Sequence, residues 1–268
     1  MDRCAVITLL TDFGQQDPFV GIMKGVILGL CPSARLVDLT HETAAYDILG
    51  GSFLLHSAMP YFPPGTIHLA VVDPGVGSPR RPILARIDDQ LFVAPDNGLL
   101  SYPMACGTVR AVHAITAREY FLQPVSATFH GRDVFAPVAG HLACGVPPER
   151  FGPEVTDAVR LSIPRARLED DGTLHGQVIR IDHFGNCVTN IARQDLEALT
   201  SGAAMPVRVL LNDQPVGGVV QFFEEVGPGG QGAVLGSTGR LELFALQGNL
   251  ARRWGIRPGA LVRLERRA

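Results

Sequence analysis

Two short segments carry side chains suited to activating water. AVVDPGVGSPRRP contains Asp73 and Arg80, and ATFHGRDVFAP contains His130. Each segment is an apolar run that ends abruptly in glycine, proline and charge. In an open α/β sheet such ends are where strands stop and ligands bind. An acid, a guanidinium and an imidazole gathered there can position a water molecule and relieve it of a proton. Taken alone, DPGVG fits any tight turn, because Gly75 and Gly77 serve a sharp bend as well as a close backbone approach. Either Arg80 or Arg81 could fold back onto Asp73, and a solvated pair of that kind would contribute little. His130 is an imidazole with neither HxxH nor HExxH spacing to any other histidine, so metal chemistry is not expected.

Two further segments have the same texture. Asp12, in LLTDFGQQDPF, is a carboxylate with acceptor sites enough for both hydroxyls of a ribose. The competing role is to cap the next helix, but Asp17-Pro18 suits that better, so Asp17 is read first as the cap. In RIDHFGNCVTNI, Asp182 and Asn186 lie on a strand-end turn. Asn186 offers a donor and an acceptor to a base edge, and an ordinary Asx turn explains the same pair. Phe223 and Trp254 can stack on a base or fill a core.

These residues need a scaffold. In the first half, apolar strands alternate with helical periods: strands at 5–10, 35–39, 67–72 and 109–115, a hairpin of 83–87 and 91–94 around Asp88-Asp89, and helices at 19–30, 47–59 and 133–144. APDNGLL is read as a turn. This alternation predicts an α/β domain whose mainly parallel sheet carries helices on both faces. Residues 161–172 are read as the linker between domains at 1–160 and 173–268. Beyond it, short strands at 174–182, 188–191, 207–211, 216–223, 233–235, 241–243 and 261–266, with one helix near 249–254, predict a small β-barrel or sandwich.

Composition narrows the class. With 268 residues, 46% of them hydrophobic and 18% charged, the chain is globular. A formal net charge of −3 gives no electrostatic footprint for nucleic acid. The arginines near the C-terminus, Arg252 to Arg267, read as a solvated surface. Cys4, Cys31, Cys106, Cys144 and Cys187 form no CxxC pair, against zinc or a disulfide framework, and Cys4, Cys31 and Cys144 are read as small core residues. MDRCAVITLL reads as a strand rather than a leader, and no apolar run is long enough for a bilayer. A cytoplasmic protein is expected.

In order along the chain, TDFG, VVDPGVGSPRR, APDNGLLS, FHGRDVFAP, IDHFGNCVTNI and GSTGRLEL together resemble the S-adenosylmethionine hydrolase family, which is related to the bacterial fluorinase and chlorinase. The resemblance implies an N-terminal α/β domain, a C-terminal β-barrel, and a homotrimer with sites between subunits. It implies that Asp12 holds the ribose diol, that Asp17, Asp182 and Ser237 contact the methionine portion, and that Asn186 faces adenine. Phe223 would flank the base and the backbone of Ala245 to Gln247 would read its edge. Asp73, Arg80 and His130 match a set that the hydrolases carry and the halogenases lack. Tyr46 stands where the fluorinase has a tryptophan over the sugar, and Gly131 where it has a halide-binding serine.

The implied reaction is attack of water or hydroxide on the ribose C5′, giving adenosine and L-methionine. Because the sulfonium is itself the leaving group, neither metal nor cofactor is expected. S-adenosylmethionine is the substrate that the resemblance implies. The residues leave Asp73, Arg80 and His130 open as the proton acceptor. The alternatives are a halide adenosyltransferase and a non-catalytic binder of adenosine or S-adenosylmethionine. A metal-dependent phosphoesterase ranks last, because no ligand spacing supports it.

Overall fold

A computed structural model describes residues 5–201 and 206–266, so Cys4 and Arg267 lie outside the described residues. The chain forms two compact units, Met1–Ile163 and Pro164–Ala268.

In the first unit the elements run β1 (Val6–Thr11), α1 (Phe19–Leu30), β2 (Arg35–Thr40), α2 (Ile48–Ala58), β3 (Ile67–Val71), β4 (Pro82–Ile87), β5 (Gln90–Pro95), α3 (Ser101–Cys106), β6 (Val109–Ala114) and α4 (Ala136–Ala143). The strand order is β2-β1-β3-β5-β4-β6. β2, β1, β3 and β5 are parallel to one another, and β4 runs antiparallel to both its neighbours. β1 and β3 are buried almost throughout, as strands covered on both faces must be. Alternate residues feed two cores. Ile7, Leu9 and Leu69 meet Met23 and Ile27 of α1 and Val138 of α4. Leu10, Ala70 and Val72 meet Leu55 of α2 and Met104 of α3.

The expected capping by Asp17 is not observed. Pro18 is the N-cap residue of α1, no side chain caps it, and Asp17 is exposed. Asp47 does cap α2, accepting from Gly50 N at 2.9 Å. APDNGLL leads into α3, a short helix that its proline-containing SYPMAC sequence concealed. The helix expected at 133–144 begins earlier, as a π-helical turn over Gly131–Phe135 that runs into α4. Cys31 is buried, but Cys144 is exposed at the end of α4, so its assignment to the core is corrected.

The second unit contains β7 (Arg167–Leu168), β8 (Leu174–Ile181), β9 (Cys187–Ala192), α5 (Arg193–Thr200), β10 (Val207–Leu211), β11 (Gln214–Val220), β12 (Gln231–Leu235), β13 (Arg240–Ala245), α6 (Leu250–Trp254) and β14 (Leu261–Arg266). Strand pairing runs β14-β10-β11-β12-β13-β9-β8, and β14 pairs again with β8, which closes a seven-stranded barrel. β7 adds to β8 outside the ring. Leu241, Leu243 and Ala245 alternate into the barrel core beside Val178, Val209 and Leu264. α5 was not expected from the sequence. Its start is fixed locally by the Asp195 carboxylate, which accepts from Ala192 N at 2.7 Å, and Leu196 and Leu199 supply its buried face.

Candidate active site

Parallel pairing of β1 with β3 places Thr11 opposite Val71, so Asp12 and the Val72-Asp73 step leave the carboxyl ends of adjacent strands. Asn97 holds that strand end by donating to Val72 O at 2.8 Å. The loop after Asp73 turns at Gly77, where φ is +78°. A Cβ on Gly77 would lie 2.2 Å from Ala127 O, so only glycine lets this loop touch the segment before His130. That segment is fixed in turn by the fully buried Asp133 carboxylate, which accepts from Ser126 N at 2.8 Å and from Arg132.

The two loops bring Asp73, Arg80 and His130 into one hydrogen-bonded chain. Arg80 Nε donates to Asp73 Oδ1 at 2.9 Å and its Nη2 donates to Asp73 Oδ2, a bidentate pair. Only 4% of the Asp73 side chain and 9% of Arg80 are exposed. Arg80 Nη2 also reaches His130 Nδ1 at 2.9 Å. A guanidinium has no acceptor, so Nδ1 receives this bond and the neutral ring carries its hydrogen on Nε2. Burial, and then the charge of Arg80, hold the His130 pKa below its usual 6.5, against the opposing carboxylates of Asp73 and Asp133. The Arg80 guanidinium lies 5.2 Å from the Phe135 ring centre. Its Nη1 is buried without a hydrogen-bond partner among the described residues. Arg80 and His130 border a cavity of about 710 Å³ that Arg118, Gln123 and Ser126 also line.

The second arginine takes another role. Arg81 binds Asp96 at 2.7 Å and Asp157 at 2.9 Å, a clamp on the chain after β6. Asp12 does not cap α1; its Oδ2 accepts from Tyr46 N at 2.9 Å, leaving Oδ1 available. Tyr46 is 72% exposed and adopts φ of +67°, a left-handed conformation rare outside glycine.

The second unit carries its own cavity, of about 670 Å³, on the outside of the barrel at the end of β13. Asp182, Asn186, Phe223, Ala245 and Gln247 all line it. Asn186 is buried and donates twice to Asp182, from its backbone N at 2.8 Å and from Nδ2 at 2.9 Å. The Asx turn and the cavity wall are therefore the same feature. Phe223 packs edge-on against Phe244 at 4.8 Å between ring centres, while Trp254 packs against the barrel core. Ser237 is exposed in the β12–β13 turn and does not line this cavity. Phe184 and Glu242 do, and the sequence reading singled out neither. Glu242 is written as one outward position between Leu241 and Leu243, a pattern shared by every surface strand. Burial, and then the neighbouring charge of Asp182, raise its pKa, and Arg180 opposes them. Among the described residues no group of three or more His, Cys, Asp or Glu side chains is placed to hold a metal ion. No helix of the described residues is long and apolar enough to cross a membrane.

Both units match known proteins. Residues 7–152 match the SAM hydroxide adenosyltransferase N-terminal domain and residues 176–263 its C-terminal domain. The chain is 41% identical to the (R)-S-adenosyl-L-methionine hydrolase of Salinispora tropica, over 96% of this chain and 97% of that one. It is more distant from the fluorinase of Nocardia brasiliensis, at 28% identity over 98% and 97% of the two chains. A conserved protein of Thermotoga maritima, solved by crystallography, superposes with a TM-score of 0.91 at 35% identity, covering 96% of this chain and 99% of the other. With both of its units matched, the chain belongs to the SAM hydroxide adenosyltransferase family.

Proposed function

We propose that this protein is an S-adenosyl-L-methionine hydrolase that forms adenosine and L-methionine. The observation that carries the reading is the hydrogen-bonded Asp73–Arg80–His130 chain at the edge of a mainly parallel sheet where β1 and β3 end. Water loses a proton and its oxygen attacks the ribose C5′ opposite the sulfur. The C5′–S bond breaks and its electron pair stays on methionine. Arg80, held by Asp73, favours hydroxide electrostatically. His130 takes the proton at Nδ1, the ring nitrogen without hydrogen. At rest that lone pair faces Arg80 Nη2 at 2.9 Å, so proton transfer requires the two groups to part. The sulfonium supplies the leaving group, and the reading needs neither metal nor cofactor.

Binding is assigned on the same basis. Asp12 holds the ribose diol through its available oxygen, near Tyr46, and Asp17 lies toward methionine with Asp182 and Ser237. Asn186, Phe223 and the backbone of Ala245 to Gln247 take adenine. We assign the protein to a homotrimer with sites between subunits, and the unpaired cysteines among the described residues suit the cytoplasm. A halide-transfer reading is disfavoured at Gly131. A Cβ there would meet Met23 Sδ at 3.1 Å and the Phe129 ring at 3.2 Å, leaving little room for serine.

The test is incubation with S-adenosylmethionine in chloride buffer made with labelled water. Adenosine carrying the label, with matching methionine, is expected. A 5′-chloro nucleoside would move the assignment to halide transfer, and binding without product would make the protein a non-catalytic binder.

A further inference from the structure

The cavity on the barrel has an unbalanced charge. Two carboxylates, Asp182 and Glu242, line it together with Phe184, Phe223 and Asn186; among the described residues no lysine, arginine or histidine lines it, and Arg180 acts on Glu242 from outside the lining. The two acids are not equivalent. Both oxygens of Asp182 already accept from Asn186. The Glu242 carboxylate makes no side-chain hydrogen bond or ion pair within the described residues, although the residue is half-buried. Strand pairing fixes its place, opposite Val234 on one side and Val188 on the other, so the carboxylate cannot swing into the barrel. It rests over the β12–β13 turn, where a Cβ on Gly236 would lie 1.9 Å from Glu242 Oε1. The glycine thus leaves the space that the acid fills. Phe223 and Asn186 are suited to a base, so the ligand that completes this wall is a nucleoside bearing a positive charge.

We propose that Glu242 selects a primary ammonium group on that nucleoside ligand. A sulfonium carries charge but no hydrogen to donate. An ammonium offers three donors, which match the unfilled acceptor sites of Glu242 and relieve its repulsion with Asp182. The inference rests on the reading of this cavity as the nucleoside site, and it adds a specificity-determining residue on the amino-acid end of the substrate.

Calorimetry on the full-length protein tests it with S-adenosylhomocysteine, 5′-methylthioadenosine and adenosine, of which only the first carries an ammonium. In Glu242→Gln, affinity for S-adenosylhomocysteine should fall about tenfold, the factor that ~1.4 kcal/mol represents. The other two should change less than twofold. With S-adenosylmethionine as substrate, KM should rise by a similar factor while kcat holds. Gly236→Ala, which displaces the carboxylate without removing it, should reproduce the selectivity loss. An equal loss for all three ligands, or no loss for any, overturns the proposal. A wild-type protein that binds none of the three refutes instead the assignment of the cavity to a nucleoside.

Discussion

Replacing Asp73 by asparagine isolates one link of the proposed relay. The substitution keeps the shape and removes one charge of a bidentate pair whose partners are 4% and 9% exposed. Arg80 stays ionised but faces an amide that can return only one acceptor oxygen. Its Nη1 has no partner to take over. Breaking a buried pair from one side costs about 3–5 kcal/mol, because a desolvated charge is left behind. Since Arg80 borders a cavity, the lower figure of about 3 kcal/mol applies here. In a folding unit of this size, each kcal/mol moves Tm by roughly 2–4 °C, so thermal denaturation should fall by about 6–12 °C. Lys24→Gln is the internal control. It breaks the Lys24–Asp38 pair, whose side chains are 30% and 37% exposed, and should cost less than about 1 kcal/mol. The same Asp73→Asn protein should lose turnover, because the guanidinium that aligns His130 is no longer held from behind. If its Tm stays within about 2 °C of the wild type, comparable to the control, the pair is not the desolvated unit described above.

Two further predictions concern pH. His68, fully buried between Thr8 Oγ1 at 2.7 Å and Gln90 Oε1 at 3.2 Å, has its pKa pushed down by burial to about 4 from 6.5. The folded state therefore binds fewer protons than the unfolded one across that window, and stability falls by up to about 3 kcal/mol as pH drops from 6.5 toward 4; denaturant titrations of wild type and His68→Gln with equal pH slopes would refute this. Because burial and Arg80 lower the His130 pKa, the neutral base persists below pH 6.5, and the acid limb of kcat/KM is expected below that value. A limb at or above pH 7 that disappears in His130→Ala would show that the guanidinium does not act on the ring as described.

Much of this architecture is legible because burial writes a period into the chain. Ala5–Leu10 and Ile67–Val72 read as strands since both of their faces are covered, and the barrel strands read as short runs between turns. Closure of the barrel is not legible, because Leu261 to Leu264 pair with residues 174–177 far away in sequence. α3 and α5 were missed for local reasons: one is short and contains proline, and the other is mostly polar. Cys144 shows the limit of composition, since apolar neighbours in sequence do not guarantee burial at a helix end. The site residues emerged unevenly. Asp73, Arg80 and His130 stood out as charge at the ends of apolar runs, whereas Glu242 follows the alternation of any exposed strand face. Only the cavity distinguishes it.

The seven-stranded ring has a consequence for how the protein is made. β14 joins β10 to β8, so its six residues supply both of the last pairings. Until Leu261–Arg266 leaves the ribosome, β8 and β10 each present an open edge of unpaired amides and carbonyls, surfaces that recruit other strands. The α/β unit has no such debt, since all its strands lie upstream, before Ile115. During synthesis one half can settle early while the other waits for its closing strand. Loss of that strand by truncation would convert a sealed barrel into a sheet with two sticky margins, and aggregation rather than simple loss of activity would be its signature.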